Sequence, residues 1–158
     1  MKNEEKLGEL LKERGWHIAV AESTTGGLMN HMIITVPGAS KYYLGGTITY
    51  TRNMKVNILG VPEEVLDGPG SVSEEGAIAM ARGALDRTKA EITISETGIA
   101  GPIPGRSSKP LGSAYIAVCT ADDTICEYHA FEGNRVEVLR SIAETGLRMA
   151  VDYLEGKK

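Results

Sequence analysis

The chain has 158 residues, of which 42% are hydrophobic and 24% are charged, a composition typical of one globular domain. Its net charge of −4 and the lack of any lysine or arginine cluster argue against a nucleic-acid-binding protein, and no apolar run is long enough to cross a membrane. No apolar signal segment follows the N-terminus, so a cytoplasmic location is expected.

The first half of the chain alternates between helical and strand patterns. Helices are predicted at residues 3–14, 25–35, 51–59 and 62–66, with Thr51 as the cap of the third. Strands are predicted at residues 17–21 and 45–50. The alternation is typical of parallel strands joined by helical crossovers.

The second half continues this alternation and then adds a hairpin. The pattern predicts a helix capped by Ser73, a strand at 91–97, a long loop at 98–110, hairpin strands at 112–121 and 124–131, and a last helix capped by Asn134. This order predicts one α/β domain over residues 1–158, a three-layer α/β/α sandwich. Its mixed, mostly parallel sheet should have about five strands, one of them antiparallel.

Two cysteines flank the turn of that hairpin. If the turn has two residues, Cys119 and Cys126 lie directly opposite each other and can touch or oxidise. Two packed free thiols are the favoured interpretation. The cysteines and the three scattered histidines form no recognisable metal site, so no metal is expected.

The most informative segment is the hydroxyl- and glycine-rich stretch at residues 21–27. It stands where the first strand turns into a helix, a position that offers free backbone N–H groups and a positive helix end. Such a turn can hold a phosphate, stabilise an oxyanion or present Ser23 as a nucleophile. Glu22 is expected to accept hydrogen bonds from N–H groups of this turn and so to fix its shape.

A serine nucleophile needs a base, and no histidine lies in the loops at the carboxyl ends of the strands. Lys55, one helical turn after the second strand, is the better candidate, because a desolvated lysine with a lowered pKa can deprotonate serine. Tyr50 can relay or orient through its phenol. By residue type alone, a helix cap at Ser23 and a solvated Lys55 are the more common outcomes.

The loop at residues 98–110 is a second candidate ligand site, because glycines directly after a strand allow close backbone approach. In open α/β sheets the loops at 22–27, 50–55 and 97–110 should converge on one pocket. Candidate partners for a phosphate or carboxylate are Arg106, Lys109, Arg135 and Arg140, with Arg135 favoured by its place in the first turn of the last helix.

An ordered set of short motifs closely resembles the C-terminal domain of the CinA (competence/damage-inducible) family, over residues 7–154. The motifs are Ala21-Glu22-Ser23-x-Thr25-Gly26-Gly27, Val36-Pro37-Gly38-Ala39-Ser40, Gly45-Gly46 followed by Tyr50 and Lys55, Leu59-Gly60-Val61-Pro62, Val72-Ser73-Glu74-Glu75, Thr97-Gly98-Ile99-Ala100-Gly101-Pro102 and Lys109-Pro110-Leu111-Gly112.

The resemblance implies a function as well as a fold. Stand-alone members of this family include nicotinamide mononucleotide deamidase, so it implies hydrolysis of that carboxamide without a metal or organic cofactor, in a protein that is often a dimer. It also implies Ser23 as nucleophile, Lys55 as base and Tyr50 as active-site tyrosine. Activities of the larger N-terminal domain of full CinA proteins are not expected. The residues expected around the substrate are Glu22, Thr24, Thr25, Gly26, Gly27, Gly46, Thr97, Gly98, Ala100, Gly101 and Arg135.

Three positions depart from the family pattern. Thr24 stands where many relatives have cysteine, Glu96 replaces a usually apolar residue, and Ile103-Pro104 interrupts a glycine-rich run. These changes bear on rate and substrate preference more than on the fold. Two rival functions stay open: a non-catalytic mononucleotide-binding or regulatory module in which residues 23–25 cradle phosphate, and a hydrolase acting on a related small substrate.

Overall fold

The structure is a computed structural model that describes residues 1–157. Six helices are present in this range: α1 (Asn3–Arg14), α2 (Leu28–Ile34), α3 (Arg52–Leu59), α4 (Glu63–Asp67), α5 (Glu74–Thr88) and α6 (Arg135–Leu154). The five strands are β1 (Ile18–Glu22), β2 (Tyr43–Ile48), β3 (Ile92–Gly98), β4 (Ser113–Thr120) and β5 (Thr124–Ala130). A short 3₁₀ turn, Ala39–Lys41, precedes β2.

The strands form one sheet in the order β2-β1-β3-β4-β5. Strand β1 pairs in parallel with β2 on one side and with β3 on the other. Strand β4 pairs antiparallel with both β3 and β5, and is therefore the one strand of reversed direction. The predicted mixed, mostly parallel sheet is confirmed.

Helices cover both faces of the sheet and give the predicted three layers. Helices α1, α2 and α6 pack on one face, where the largest core cluster includes Leu7, Met29, Ile94 and Leu147. Helix α5 packs on the other face against β1, β3 and β4, and α3 and α4 lie against it. Strands β1, β3 and β4 are buried almost throughout, as expected for strands covered on both faces.

The polar residues predicted to begin helices do so. Thr51 accepts a hydrogen bond from Met54 N, Ser73 from Gly76 N and Asn134 from Glu137 N. Each satisfies a backbone donor that the first turn of a helix otherwise leaves without a partner.

Two sequence-based details are wrong. Helix α2 begins at Leu28 and not at residue 25, because residues 23–27 form turns that end at Gly27, whose φ of 103° favours glycine.

In the hairpin, Cys119 lies opposite Thr124 and Cys126 opposite Ala117, so the cysteines are not directly paired. Residues 121–123 form a longer connection than the two-residue turn assumed, and both thiols are free. Burial raises the pKa of Cys126 to about 12, which keeps it protonated.

Within residues 1–157 no helix combines the length and apolar character needed to cross a bilayer. Across the same range no cluster of three or more His, Cys, Asp or Glu side chains is arranged to hold a metal ion.

Candidate active site

A cavity of about 780 Å³ opens at the carboxyl ends of β1, β2 and β3. The turn after β1, the start of α3 and the loop at residues 99–112 that joins β3 to β4 line most of it, and Leu66, Ser71, Val72 and Arg135 complete the lining. The predicted convergence of three loops is confirmed. The lining residues used below are Ser23, Thr24, Tyr50, Arg52, Lys55, Thr97, Gly98, Ala100, Gly101, Ile103, Arg106 and Arg135.

The central feature of this cavity is a contact between Ser23 and Lys55. Lys55 Nζ lies 2.9 Å from Ser23 Oγ, although 32 residues separate them in the chain. Ser23 is 5% exposed and Lys55 only 2% exposed, so both side chains are shielded from bulk water. Neither of the common outcomes for these residue types is found: Ser23 caps no helix, and Lys55 is not a solvated surface lysine.

The oxygen atoms around Lys55 Nζ can accommodate a neutral amine. Nζ lies 2.9 Å from the carbonyl oxygen of Thr49 and 3.2 Å from that of Tyr50. A neutral amine can donate its two hydrogens to these two carbonyls and turn its lone pair toward the Ser23 hydroxyl. Burial lowers the pKa of Lys55, against an opposing effect of the Glu96 carboxyl, so the geometry and the pKa direction agree.

Glu22, at the end of β1, occupies the N-terminus of α2. Its Oε1 accepts from Met29 N at 2.7 Å and its Oε2 from Asn30 N at 3.1 Å, while the Asn30 side chain donates to Oε2 at 2.5 Å. Glu22 is fully buried. It therefore shapes the turn, and the helix N–H groups expected to meet a ligand are already taken by its carboxylate.

Glu96 on β3 holds the turn from the other side. Its Oε1 accepts from Ser23 N at 2.6 Å and from Thr25 N at 3.0 Å, and it also lies 2.8 Å from Thr25 Oγ1. Sequence reasoning treated Glu96 only as an extra charge near the pocket and missed this role. The available signal was a carboxylate inside a strand that should be buried on both faces.

Thr24 joins the turn to the β3–β4 loop. Its hydroxyl donates to Gly98 O at 3.0 Å, and its own N–H takes part in none of the hydrogen bonds of residues 1–157. Beyond Gly98 the loop turns into the cavity at Ala100 and Gly101, the latter with a φ of +76° that favours glycine. Ile103 is 81% exposed at its tip.

Three arginines line the cavity: Arg52, Arg106 and Arg135. Arg135, at the start of α6, donates to Gly101 O at 2.9 Å and so ties the helix to the loop. Arg106 is exposed on the loop itself. Arg52 is already paired with Asp67 and Glu63, so Arg135 and Arg106 are the better candidates for an anionic group.

Tyr50 lines the cavity and is 61% exposed. Its carbonyl oxygen, rather than its phenol, accepts from Lys55. Because Lys55 contacts Ser23 directly, the hydroxyl proton can move to the amine without a tyrosine relay.

Five of the residues expected around the substrate do not line the cavity. Thr25 is buried behind the turn and Gly26 is exposed outside the cavity, and in this turn Gly26 N donates to Ser23 O and Leu28 N to Thr25 O. Gly27 does not line the cavity either. Gly46 on β2 is packed against the Asn30 side chain. Glu22 makes the fifth. Ser23, Thr24, Tyr50, Lys55, Thr97, Gly98, Ala100, Gly101 and Arg135 are brought together as predicted.

Comparison with known proteins identifies the family. Residues 1–154 match the family model described as the CinA C-terminal domain. The chain belongs to this family. It is 42% identical over 148 residues to a CinA-like protein of Desulfotalea psychrophila, covering 94% of this chain and 36% of the relative. It is 43% identical over 144 residues to a CinA-like protein of Syntrophobacter fumaroxidans, covering 91% and 34%. The chain thus spans about a third of the length of these relatives.

Solved structures of the CinA superfamily share the fold over their whole length. A Klebsiella pneumoniae member superposes with a TM-score of 0.94 at 26% identity, covering 98% of this chain and 96% of that one. The competence/damage inducible protein CihA of Agrobacterium tumefaciens superposes with a TM-score of 0.89 at 31% identity, covering 98% and 97%.

Proposed function

We propose that this chain is a nicotinamide-nucleotide amidase that hydrolyses the carboxamide of nicotinamide mononucleotide to nicotinate mononucleotide and ammonia. The observation that carries the proposal is the 2.9 Å contact between Lys55 Nζ and Ser23 Oγ inside the cavity. Membership of the CinA C-terminal domain family supports it, because the resemblance described above implies this substrate.

The first chemical step forms an acyl-enzyme. Neutral Lys55 takes the hydroxyl proton of Ser23 while Oγ attacks the carboxamide carbon, and the carbonyl π electrons move to oxygen. The N–H of Thr24, next to the nucleophile and without another partner among residues 1–157, is the donor assigned to this oxyanion. When the intermediate collapses, the Lys55 ammonium returns its proton to the amide nitrogen, the C–N bond breaks, and the nitrogen leaves as ammonia.

The second step regenerates the enzyme. A water molecule attacks the acyl carbon, Lys55 accepts one of its protons, and the C–Oγ bond breaks. Lys55 then returns that proton to Ser23, and the carboxylic acid product releases its remaining proton to water to become the carboxylate. No metal or organic cofactor takes part in the proposed steps.

The rest of the cavity suits a mononucleotide. Its volume of about 780 Å³ lies in the usual range for small-molecule sites. With the carboxamide at Ser23, the phosphate is assigned to Arg135 and Arg106 at the loop side. The exposed ring of Tyr50 can face the positively charged pyridine ring, an arrangement favoured by cation–π attraction.

The contacts of the turn argue against a non-catalytic phosphate cradle at residues 23–25. The N–H groups of Ser23 and Thr25 are engaged by Glu96, and those of Met29 and Asn30 by Glu22. A phosphate at this turn would find Thr24 N–H as a donor and would meet two buried carboxyl groups beside it. A homodimer and a cytoplasmic location stay predictions.

The test is the release of ammonia from nicotinamide mononucleotide by the purified protein. Ser23→Ala should lower kcat by roughly 10³-fold or more while substrate affinity in calorimetry changes little. Thr93→Val, a buried change on β3 outside the cavity, is the control for folding and should leave kcat nearly unchanged. Full activity of Ser23→Ala would refute the nucleophile. Activity on other amides or on phosphate esters alone would point to the related-substrate alternative.

A further inference from the structure

Glu96 has a burial and bonding pattern that the amidase mechanism does not explain by itself. The side chain is fully buried in β3. Its Oε1 holds the Ser23 and Thr25 N–H groups, while its Oε2 is buried and has no hydrogen-bond partner among residues 1–157. The inference drawn from this pattern rests on the proposed role of Ser23 as a nucleophile.

The hydrogen bonds around Thr25 require a proton beyond its own. Thr25 Oγ1 lies 2.5 Å from Glu22 Oε1 and 2.8 Å from Glu96 Oε1. A hydroxyl has one hydrogen and can donate to only one of these oxygens. The second contact is attractive only if one carboxyl is protonated, so Glu22 and Glu96 share one proton and carry one negative charge between them.

The neighbours of the two carboxyls decide where that proton resides. Glu22 receives three N–H donors at the N-terminus of α2 in addition to the Thr25 hydroxyl, a setting suited to a carboxylate. Glu96 receives two backbone N–H donors on one oxygen and none on the other. A buried oxygen without a partner costs less when it belongs to a neutral acid.

We propose that Glu96 is a positioning residue that carries the proton shared with Glu22 in the active enzyme and holds the backbone N–H of Ser23 beside Lys55. The neutral state of Glu96 is as important as its position. An ionised Glu96 would add a negative charge near Lys55 and favour its ammonium form, which is not a base.

The groups that face Glu96 agree with this assignment. Burial raises the pKa of Glu96 and the charge of Glu22 raises it further, while the hydrogen bonds from residues 25 and 23 oppose the shift. Lys55 on α3 is the facing cation, and its pKa is lowered by burial. On β4, Ile116 pairs with Glu96, and the buried residues of α2, α5 and α6 are uncharged.

The proton itself is tested by infrared spectroscopy, independently of any substrate. The wild type should show the carbonyl band of a buried protonated carboxyl at neutral pH, and Glu96→Gln should lack that band. Absence of the band from the folded wild type overturns the inference, whether or not the protein releases ammonia.

The positioning role is tested by the rate at which a fluorophosphonate labels Ser23, followed by intact-protein mass over a range of pH. The wild-type rate should rise as Lys55 loses its proton and fall at higher pH as Glu96 loses its own. Glu96→Gln should keep at least about a tenth of the maximal rate and lose the alkaline fall. Glu96→Leu, which leaves two buried N–H groups without an acceptor, should label about 100-fold more slowly at every pH.

Thr93→Val, on the same strand, is the matched control and should reproduce the wild-type profile. An alkaline fall retained in Glu96→Gln, or wild-type labelling of Glu96→Leu, overturns the positioning role. Normal labelling profiles without ammonia release from nicotinamide mononucleotide would instead refute the proposed function and leave this inference standing. Thermal unfolding of each variant separates lost labelling from lost folding.

Discussion

The two segments that build the cavity differ in how completely they are fixed. The turn at residues 23–27 is held by hydrogen bonds. Glu96 accepts from Ser23 N, Glu22 accepts from Met29 N just after the turn, and Lys55 Nζ contacts Ser23 Oγ. The loop at residues 99–112 is largely exposed and is tied down mainly through Gly98, Gly101 and the ends of the hairpin. For the proposed amidase this difference suits the chemistry at the turn, because a reaction centre tolerates little displacement, and substrate binding at the loop.

Among these substitutions, the largest expected loss of activity follows from replacing Lys55, which contacts the turn at residues 23–27. Lys55→Met retains the length and apolar stem of the side chain and removes the base. We expect kcat for ammonia release to fall about 10³-fold with little change in KM, because the proton of Ser23 loses its acceptor. A steady-state comparison with the wild type measures this loss.

The same base sets the pH dependence of the reaction. In the wild type, kcat/KM should rise with pH as the Lys55 ammonium loses its proton, at a pH below the ordinary lysine value of 10.5, because burial lowers its pKa. Lys55→Met should lose this rise. A pH profile whose rise is identical in both proteins would contradict the assignment of the base to Lys55.

Replacement of Glu22 tests whether the rigidity of the turn is also a source of stability. Glu22→Gln places amide hydrogens against the donors of Met29 and Asn30, so we expect the free energy of unfolding to fall by about 3 kcal/mol. Urea denaturation measures the difference. Glu74→Gln is the matched control at the exposed N-terminus of α5, and it should change stability by less than about 0.5 kcal/mol. Equal effects of the two substitutions would show that the turn is not held through Glu22.

Substitution of Arg135, which is bonded to the loop at residues 99–112, should cause a smaller change, and in KM instead of kcat. Arg135→Ala removes the assigned phosphate contact, so KM should rise about tenfold while kcat stays within about threefold of the wild type. Arg140→Ala, an exposed change on the same helix outside the cavity lining, should leave both constants near wild type. A fall in kcat with unchanged KM would move Arg135 from substrate binding to the chemistry.

Some features of the site were predictable because they depend on local sequence. The caps at Thr51, Ser73 and Asn134 follow from residue type and position, and the alternation of strands and helices predicts three loops at one edge of the sheet. Both features depend on residues close together in the chain, so the same local sequence tends to form them in any protein.

The start of α2 shows where local reasoning stops. The pattern predicts a helix from residue 25 with free N–H groups, whereas the structure begins it at Leu28 and fills its donors with Glu22. The partner of each donor depends on which side chain the fold brings beside it. Sequence preferences within the turn carry no information about that choice.

The sequence by itself determined the mixed α/β sheet, the three converging loops, and Ser23 and Lys55 as candidate nucleophile and base. Only the tertiary structure decided that Lys55 is buried against Ser23, and that Glu96, 73 residues beyond Ser23, holds its N–H. The physical reason is that hydrophobic packing sets which distant side chains meet. Desolvation at that meeting point then fixes the protonation states on which the proposed chemistry depends.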